Sequence, residues 1–302
     1  MKRLCIVVCC CLCSIGFFYR NLNAAILLED SFESKNMSTT TKSDGFNWEG
    51  NNRTSLVMLD SVDDSVAVFN NGSIYNIQPG NDWKAKNGDI SMRFRYPANE
   101  AMAEQRFNIG ASYSDIWIRY WLRVPVNFYY PSGTNNKFFS VWTNTYEGIG
   151  ATTTWEMRPT GGGGCNIYFK YSQNGGIVGG DLQQQNFISV PNDRGRWMQI
   201  VLRVKLASSP SSHDGIIQTY RRWDGEAEFV KLHELLTANN YPSAPPIGLS
   251  HGYIMGWANA AYSQDTEWLL DDFTISTTSL LNEVVLEKPI PPIGFTKLGD
   301  SN

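Results

Sequence analysis

The chain is 302 residues long and acidic, with 25 Lys and Arg against 29 Asp and Glu and a net charge of −4. Only 18% of its residues are charged while 13% are aromatic, and 26 are glycine. That balance argues against a general binder of nucleic-acid phosphates and for an aromatic-rich β protein with many turns.

At the N-terminus, Lys2 and Arg3 precede an apolar run from Leu4 to Phe18, and Asn21-Leu22-Asn23-Ala24 ends on a small residue. These are the parts of a secretory signal, so residues 1–24 read as a signal peptide and the remainder as a secreted protein, extracellular or periplasmic. The run is short for a bilayer span and no later stretch qualifies, so no membrane span is expected. Cys5, Cys9, Cys10, Cys11 and Cys13 leave with the signal, and Cys165 alone remains. Without an internal disulfide, stability must come from a core, and Cys165 reads as a small buried filler. Losing Lys2, Arg3 and Arg20 leaves 22 basic against 29 acidic residues, a net −7.

Residues 25–278 show short runs of alternating apolar and polar residues. Ser91 to Tyr96, Ile116 to Val124, Lys137 to Thr143, Thr152 to Arg158, Asn166 to Tyr171, Trp197 to Leu206, Ile216 to Trp223, Tyr253 to Ala258 and Glu267 to Ser276 all read as strands. Turn clusters separate them, among them Gly161 to Gly164 and Asp193-Arg194-Gly195. Helical spacing is scarce; Phe229 to Asn239 reads as a helix or loop turn and Ala98 to Glu104 as a second short helix. Many strands and almost no helix predict one all-β domain, a two-sheet antiparallel jelly-roll sandwich. After Ser279 the chain turns proline-rich, with Pro289, Pro291 and Pro292, and residues 279–302 read as a tail or linker.

Successive strand side chains point to opposite faces, so parity separates a core set from an outer set. Ile116, Ile118, Tyr120, Leu122 and Val124 face the core and leave Trp117, Arg119, Trp121 and Arg123 outside. Likewise Trp155 and Met157 leave Thr154, Glu156 and Arg158; Ile167, Phe169 and Tyr171 leave Asn166, Tyr168 and Lys170; Ile200, Leu202 and Val204 leave Gln199, Arg203 and Lys205. Met92, Phe94 and Tyr96 leave Arg93 and Arg95. Arg, Trp and Tyr on outer faces suit a sugar chain, because rings stack on pyranose faces and Arg pairs with carboxylate or sulfate. The same mixture also arises as plain surface, with Arg stems lying over Trp and pairing with cross-strand acids.

The strand Gly195-Arg196-Trp197, the hairpin Asp214-Gly215, the turn Trp223-Asp224-Gly225 and the closing strand Asp271-Asp272-Phe273 occur in an order that resembles the concanavalin A-like lectin/glucanase superfamily. More narrowly, they resemble its branch of alginate, glucuronan and related polysaccharide lyases. The resemblance covers the C-terminal half well and the first half by strand pattern only. It implies the sandwich fold and a polysaccharide, most simply an anionic one, as partner. Asn136-Lys137-Phe138 resembles the lysine-bearing strand of those lyases; Tyr168-Phe169-Lys170 matches their "YFK" string, but ahead of the "GRW" strand. The lyases' "QIH" string and the glucanases' Glu-x-Asp-x-x-Glu are absent from this sequence.

A uronate lyase must neutralise the sugar carboxylate, remove the neighbouring carbon-bound proton and protonate the leaving oxygen. Outer parity nominates Arg119, Arg158 or Gln199 for the first task and Lys137, Tyr168 or His251 for the others. Trp117, Trp121, Arg123, Glu156, Lys170, Tyr253, Trp257 and Asn259 are candidates for substrate contact. Of three histidines, His213 and His233 are expected at the surface and His251 beside Tyr253 and Trp257 on one face. Glu29, Asp30 and Asp272 lie where many such sandwiches hold a structural Ca²⁺ between terminal strands, though edge charge alone explains them equally well. No organic cofactor is expected. Asn36, Asn52 and Asn71 head N-glycosylation triplets. Three functions follow: a secreted lyase, a non-catalytic carbohydrate-binding module or lectin, or a structural and adhesive surface domain.

Overall fold

The computed structural model describes residues 26–282 except 36, 38–40, 43–45, 59–65, 69–73, 77–82 and 147. The expected signal peptide, most of the expected tail, and the triplets at Asn36 and Asn71 therefore lie outside the described residues. The strands are β1 (Ile26–Asp30), β2 (Thr41–Lys42), β3 (Asn47–Asn52), β4 (Thr54–Met58), β5 (Val66–Val68), β6 (Ile74–Asn76), β7 (Ile90–Tyr96), β8 (Met102–Tyr113) and β9 (Asp115–Arg123). They continue with β10 (Asn136–Trp142), β11 (Thr152–Pro159), β12 (Cys165–Asn174), β13 (Gly176–Ile188), β14 (Trp197–Lys205), β15 (Gly215–Trp223), β16 (Val230–Ala238), β17 (Leu249–Trp257) and β18 (Thr266–Ser276).

These form the two antiparallel sheets of a jelly-roll sandwich. The larger runs β16-β15-β14-β9-β18-β7-β4-β5-β6 with β1 and β2 beside β18; the smaller runs β13-β12-β11-β10-β17-β8-β3. Alternation drives this arrangement, since each sheet must bury its apolar face against the other. Ile118, Tyr120 and Leu122 of the larger sheet meet Phe139, Trp155 and Phe169 of the smaller in one continuous core. Tyr120 stacks on Phe139 with ring centres 5.7 Å apart. The Trp155 indole N–H donates to the Thr219 hydroxyl at 2.7 Å, joining the sheets through the core while satisfying two buried polar groups. Cys165 is buried, and burial pushes its thiol well above the ordinary range, as suits a filler.

The two helix expectations are corrected. Phe229 to Asn239 contains β16, which pairs with the exposed backbone edge of β15. That ladder outweighs the local Leu and Ala preference, and register shifts near Gly215 and Thr219 break the simple alternation that would have revealed it. His233, expected at the surface, is buried with its ring edge-on to Phe169 at 5.4 Å. Ala98 to Glu104 contains a turn and the start of β8, which pairs with both β17 and β3. Leu280, assigned to the tail, packs with Trp117 and Val201 on the larger sheet.

Candidate functional site

Parity separates inside from outside but leaves open which sheet a strand joins, and here the sheet decides. β9 and β14 pair with each other in the larger sheet. Their outer face therefore lies across the sandwich from that of β10, β11, β12 and β17. Trp117, Trp121, Arg119, Arg123 and Gln199, grouped by parity with the other candidates, are thus removed from them.

On the larger sheet these residues are engaged in holding the fold. Arg203 lies 4.8 Å over the Trp117 ring and forks onto Asp115 through Nε at 3.1 Å and Nη2 at 2.8 Å. Trp121 is buried with Val57, Trp83, Trp197 and Leu269, beneath the Lys86 ammonium at 4.6 Å. Gln199 accepts from Arg222 at 2.9 Å, Arg123 donates to the Gly195 carbonyl at 2.9 Å, and Arg119 donates to the Leu280 carbonyl at 3.4 Å. Segments around Trp83–Asn87 and Leu280–Leu281 cover much of this face.

The outer face of the smaller sheet gathers the remaining candidates. Glu156 on β11 is opposite Lys137 on one side and Tyr168 on the other. Its Oε1 receives the Lys137 ammonium at 2.7 Å and the Lys170 ammonium at 2.8 Å, while Oε2 accepts from Asn135 at 2.5 Å and from the Tyr168 hydroxyl. Burial alone would raise this carboxyl, but the two lysines and the Tyr168 hydroxyl outweigh it and hold Glu156 below its ordinary value. Tyr168 is pushed up by burial and by the neighbouring carboxylate, and the Arg158 guanidinium sits 4.2 Å over its ring. Glu156, expected to touch substrate, is instead the internal anchor that fixes Lys137, Lys170 and Tyr168 in place.

Two strands away, β17 supplies His251 and Tyr253. His251 stacks on Trp142 with centres 6.0 Å apart and planes 11° from parallel. Its Nδ1 lies 2.8 Å from the Ser250 hydroxyl, whose proton is donated to the Thr143 carbonyl at 3.0 Å. With the one Ser250 proton on the Thr143 carbonyl, the Ser250 oxygen accepts from Nδ1–H, the tautomer that leaves the ring lone pair on Nε2. Tyr253 is buried, shares a 2.9 Å hydroxyl contact with Tyr146, and is pushed well above its ordinary value by burial and then by Tyr146. Arg106 on β8 lies directly opposite Tyr253, with Nε donating to Glu104 at 2.5 Å and its guanidinium 6.0 Å from Trp142. Gly256 lets these strands close up: its φ is +127°, and a Cβ there would sit 3.2 Å from both Lys137 Cβ and the Tyr253 ring. Trp257 is 52% exposed at the end of β17, and exposed Asn259 donates to Asn135 at 3.4 Å, the residue that in turn holds Glu156.

Several members of this face were hidden in the sequence. Trp142 was obscured by a bulge between Lys137 and Phe139, which turns both Phe138 and Phe139 into the core and shifts Ser140 and Trp142 to the parity opposite Lys137. Glu104 and Arg106 lie on β8, whose start carried a helical reading. Tyr146 is in a loop, where no periodicity points. At the other end the face runs past Asn166 into a hollow of about 340 Å³ that also touches Gly161, Gly162 and Asn186 and carries no charged side chain.

The expected calcium ligands form no such cluster. Asp30 accepts from Phe32 N–H and the Trp48 indole, both at 2.8 Å, and burial raises it to about 6. Asp272 accepts from Asn87, and Glu29 is exposed. Both Asp30 oxygens and Oδ2 of Asp272 accept from N–H donors, and the described residues contain no group of three or more His, Cys, Asp or Glu side chains placed to hold a metal ion.

No protein-family model matches the chain, and no curated protein matches it. Among solved structures it is similar to alginate lyase Aly36B, at 13% identity and a TM-score of 0.49, covering 78% of this chain and 100% of that one. Alginate lyase vAL-1 from Chlorella virus is similar at 13% identity and 0.46, covering 78% and 93%, and the cellulose-induced protein Cip1 at 15% and 0.42, covering 83% and 97%. Likeness at this level is a likeness of fold, and the fold these comparisons share is the two-sheet jelly roll described above.

Proposed function

We propose that the protein is a secreted polysaccharide-active enzyme that cleaves an anionic, uronate-containing chain by β-elimination on the outer face of the smaller sheet. The observation that carries this reading is the placement of His251, a half-buried imidazole whose Nδ1 is engaged by Ser250 and whose Nε2 is left for a ligand, on the same face as Tyr253, Tyr146 and Arg106. Arg106 pairs with the uronate carboxylate and so acidifies the carbon-bound proton beside it. His251 Nε2 takes that proton, the electron pair forms the C4–C5 double bond, and the C4–O bond breaks. The leaving oxygen receives its proton from the Tyr253 hydroxyl, which its raised pKa keeps protonated, with Tyr146 as the link to solvent. Lys137 and Lys170, fixed by Glu156, hold the next acidic sugar.

A second reading, binding without cleavage, is favoured by Glu156 itself, because it occupies both lysines and the Tyr168 hydroxyl. One experiment separates the two. The mature protein is incubated with alginate, glucuronan, pectate, glycosaminoglycans and neutral glucans while the absorbance of unsaturated uronate is followed. Growth on an anionic polymer that vanishes in His251→Ala and Arg106→Ala supports elimination. Retention on a polymer with no new absorbance or reducing ends makes the protein a binding module and removes the proton-transfer roles.

A further inference from the structure

We propose that Tyr129 and the hollow beside it form a second carbohydrate subsite, separate from the sheet face, that takes one acidic pyranose. Most aromatic rings of this protein are buried, yet Tyr129 is 55% exposed. It is nevertheless held firmly. The ring lies against Gly163, whose φ is +85° and where any Cβ would overlap the ring, and the neighbouring Tyr130 N–H donates to the Gly163 carbonyl at 2.8 Å. A half-exposed ring backed by bare glycine is a stacking platform for the apolar face of a sugar.

Beside it lies a hollow of about 260 Å³, lined with Asn127, Arg194, Tyr262, Ser263 and Gln264. That is just below the roughly 300–1,000 Å³ typical of drug-sized ligands, a size suited to a single ring. The lining is preset by hydrogen bonds to backbone. Asn127 Nδ2 donates to the Asp265 carbonyl at 2.8 Å, which leaves its Oδ1 as an acceptor, and Arg194 Nε donates to the Phe128 carbonyl at 2.8 Å, which orients the guanidinium. Gln264 and Ser263 are exposed and offer an amide and a hydroxyl to ring hydroxyls. Arg194 is the one charged side chain in this lining, so the sugar that fits best carries a carboxylate. The residues come from the β9–β10 connection, the turn before β14 and the turn before β18, and none belongs to the face around His251. The subsite is therefore independent of whether that face cleaves.

The test is ligand-detected NMR on the full chain with sodium glucuronate, sodium galacturonate and glucose as probes, on wild type, Tyr129→Ala, Arg194→Gln and, as a control on β16 of the larger sheet, Leu236→Ala. The expected result is uronate binding at least tenfold tighter than glucose, a loss of tenfold or more in Tyr129→Ala, convergence of uronate and glucose in Arg194→Gln, and no change in Leu236→Ala. Because Tyr129 and Leu236 are exposed, their variants should fold as wild type does, and a far-ultraviolet spectrum checks this. Unchanged binding in Tyr129→Ala, equal loss in Leu236→Ala, glucose binding as well as the uronates, or no binding of any probe by wild type would each overturn the proposal. The elimination assay reads the other face and is unaffected by any of these results.

Discussion

The two outer faces of this sandwich are built from the same kinds of residue and are held together differently. On the larger sheet, Trp117, Trp121, Arg119, Arg123, Arg203 and Arg222 alternate much as Trp142, Tyr168, Tyr253, Lys137, Lys170 and Arg158 do on the smaller. The difference lies in what each cation faces. Arg203 is neutralised by Asp115 over Trp117, and Lys86 lies over Trp121, with overlying chain closing the surface. On the smaller sheet one buried carboxylate, Glu156, organises two lysines and a tyrosine, and a histidine engaged through Nδ1 by Ser250 stands nearby. Aromatic and cationic composition therefore does not distinguish these two surfaces; the cover above each and the pairing within it do.

Substitutions that break this contrast are ranked here from the largest expected effect. Glu156→Gln leaves two ammonium groups side by side without their carboxylate and is expected to cost about 3 kcal/mol in urea unfolding, together with loss of polymer retention. A cost below about 1 kcal/mol would show that Glu156 does not anchor the face. Trp121→Ala opens a cavity on the covered face and should also cost about 3 kcal/mol, yet leave the specific activity or polymer retention of the folded fraction as in wild type. Loss of that function would instead move the working face to the larger sheet. His251→Ala has the reverse profile: stability within about 1 kcal/mol of wild type, and a fall in elimination rate of about a hundredfold or more.

The pH dependence gives a finer comparison, because the buried carboxyls of the two faces are shifted in opposite directions. On the larger sheet, burial and then the charge of Asp272 raise Asp271 to about 7 from an ordinary 3.8. Folded protein then holds more protons than unfolded between those values, so this group's contribution to stability falls as pH rises from 3.8 to about 7 and is level above. Asp30, raised to about 6, acts in the same sense over a narrower range. Glu156 is lowered from 4.5, so its contribution is present above that value and is lost as pH falls below it. Urea unfolding across this range should show a descending limb that shrinks in Asp271→Asn and an acid-side loss that shrinks in Glu156→Gln. Identical profiles in wild type and both variants would contradict these shifts. The smallest effect expected is that of Ca²⁺. With N–H donors on Asp30 and Asp272, adding it should leave Tm unchanged, and a rise abolished by Asp272→Ala would restore the cation to the terminal strands.

Each of the nine strands expected from alternation corresponds to a strand of the structure, seven with bounds within one residue and two, β12 and β17, longer by three and four residues at one end, because burying one face of a sheet demands a period of two. The core sets followed for the same reason, and so did the outward parity of Glu156 with Arg158 along one strand and of Tyr168 with Lys170 along the next. What alternation could not supply was anything that interrupts it. The bulge after Lys137 hid Trp142, the shifts along β16 made a strand look helical, and Tyr146 came from a loop.

By itself, then, the sequence determined the fold class and the inward face of each strand, since both depend on local alternation of apolar side chains. Only tertiary structure decided which outer faces lie together, because strand pairing joins residues far apart in the chain and parity is blind to the choice of sheet. That choice took Arg119, Gln199 and Trp121 away from His251 and brought Arg106, Trp142 and Tyr146 to it. It also placed His251 Nδ1 against the Ser250 hydroxyl, which reaches the Thr143 carbonyl across more than a hundred residues of chain.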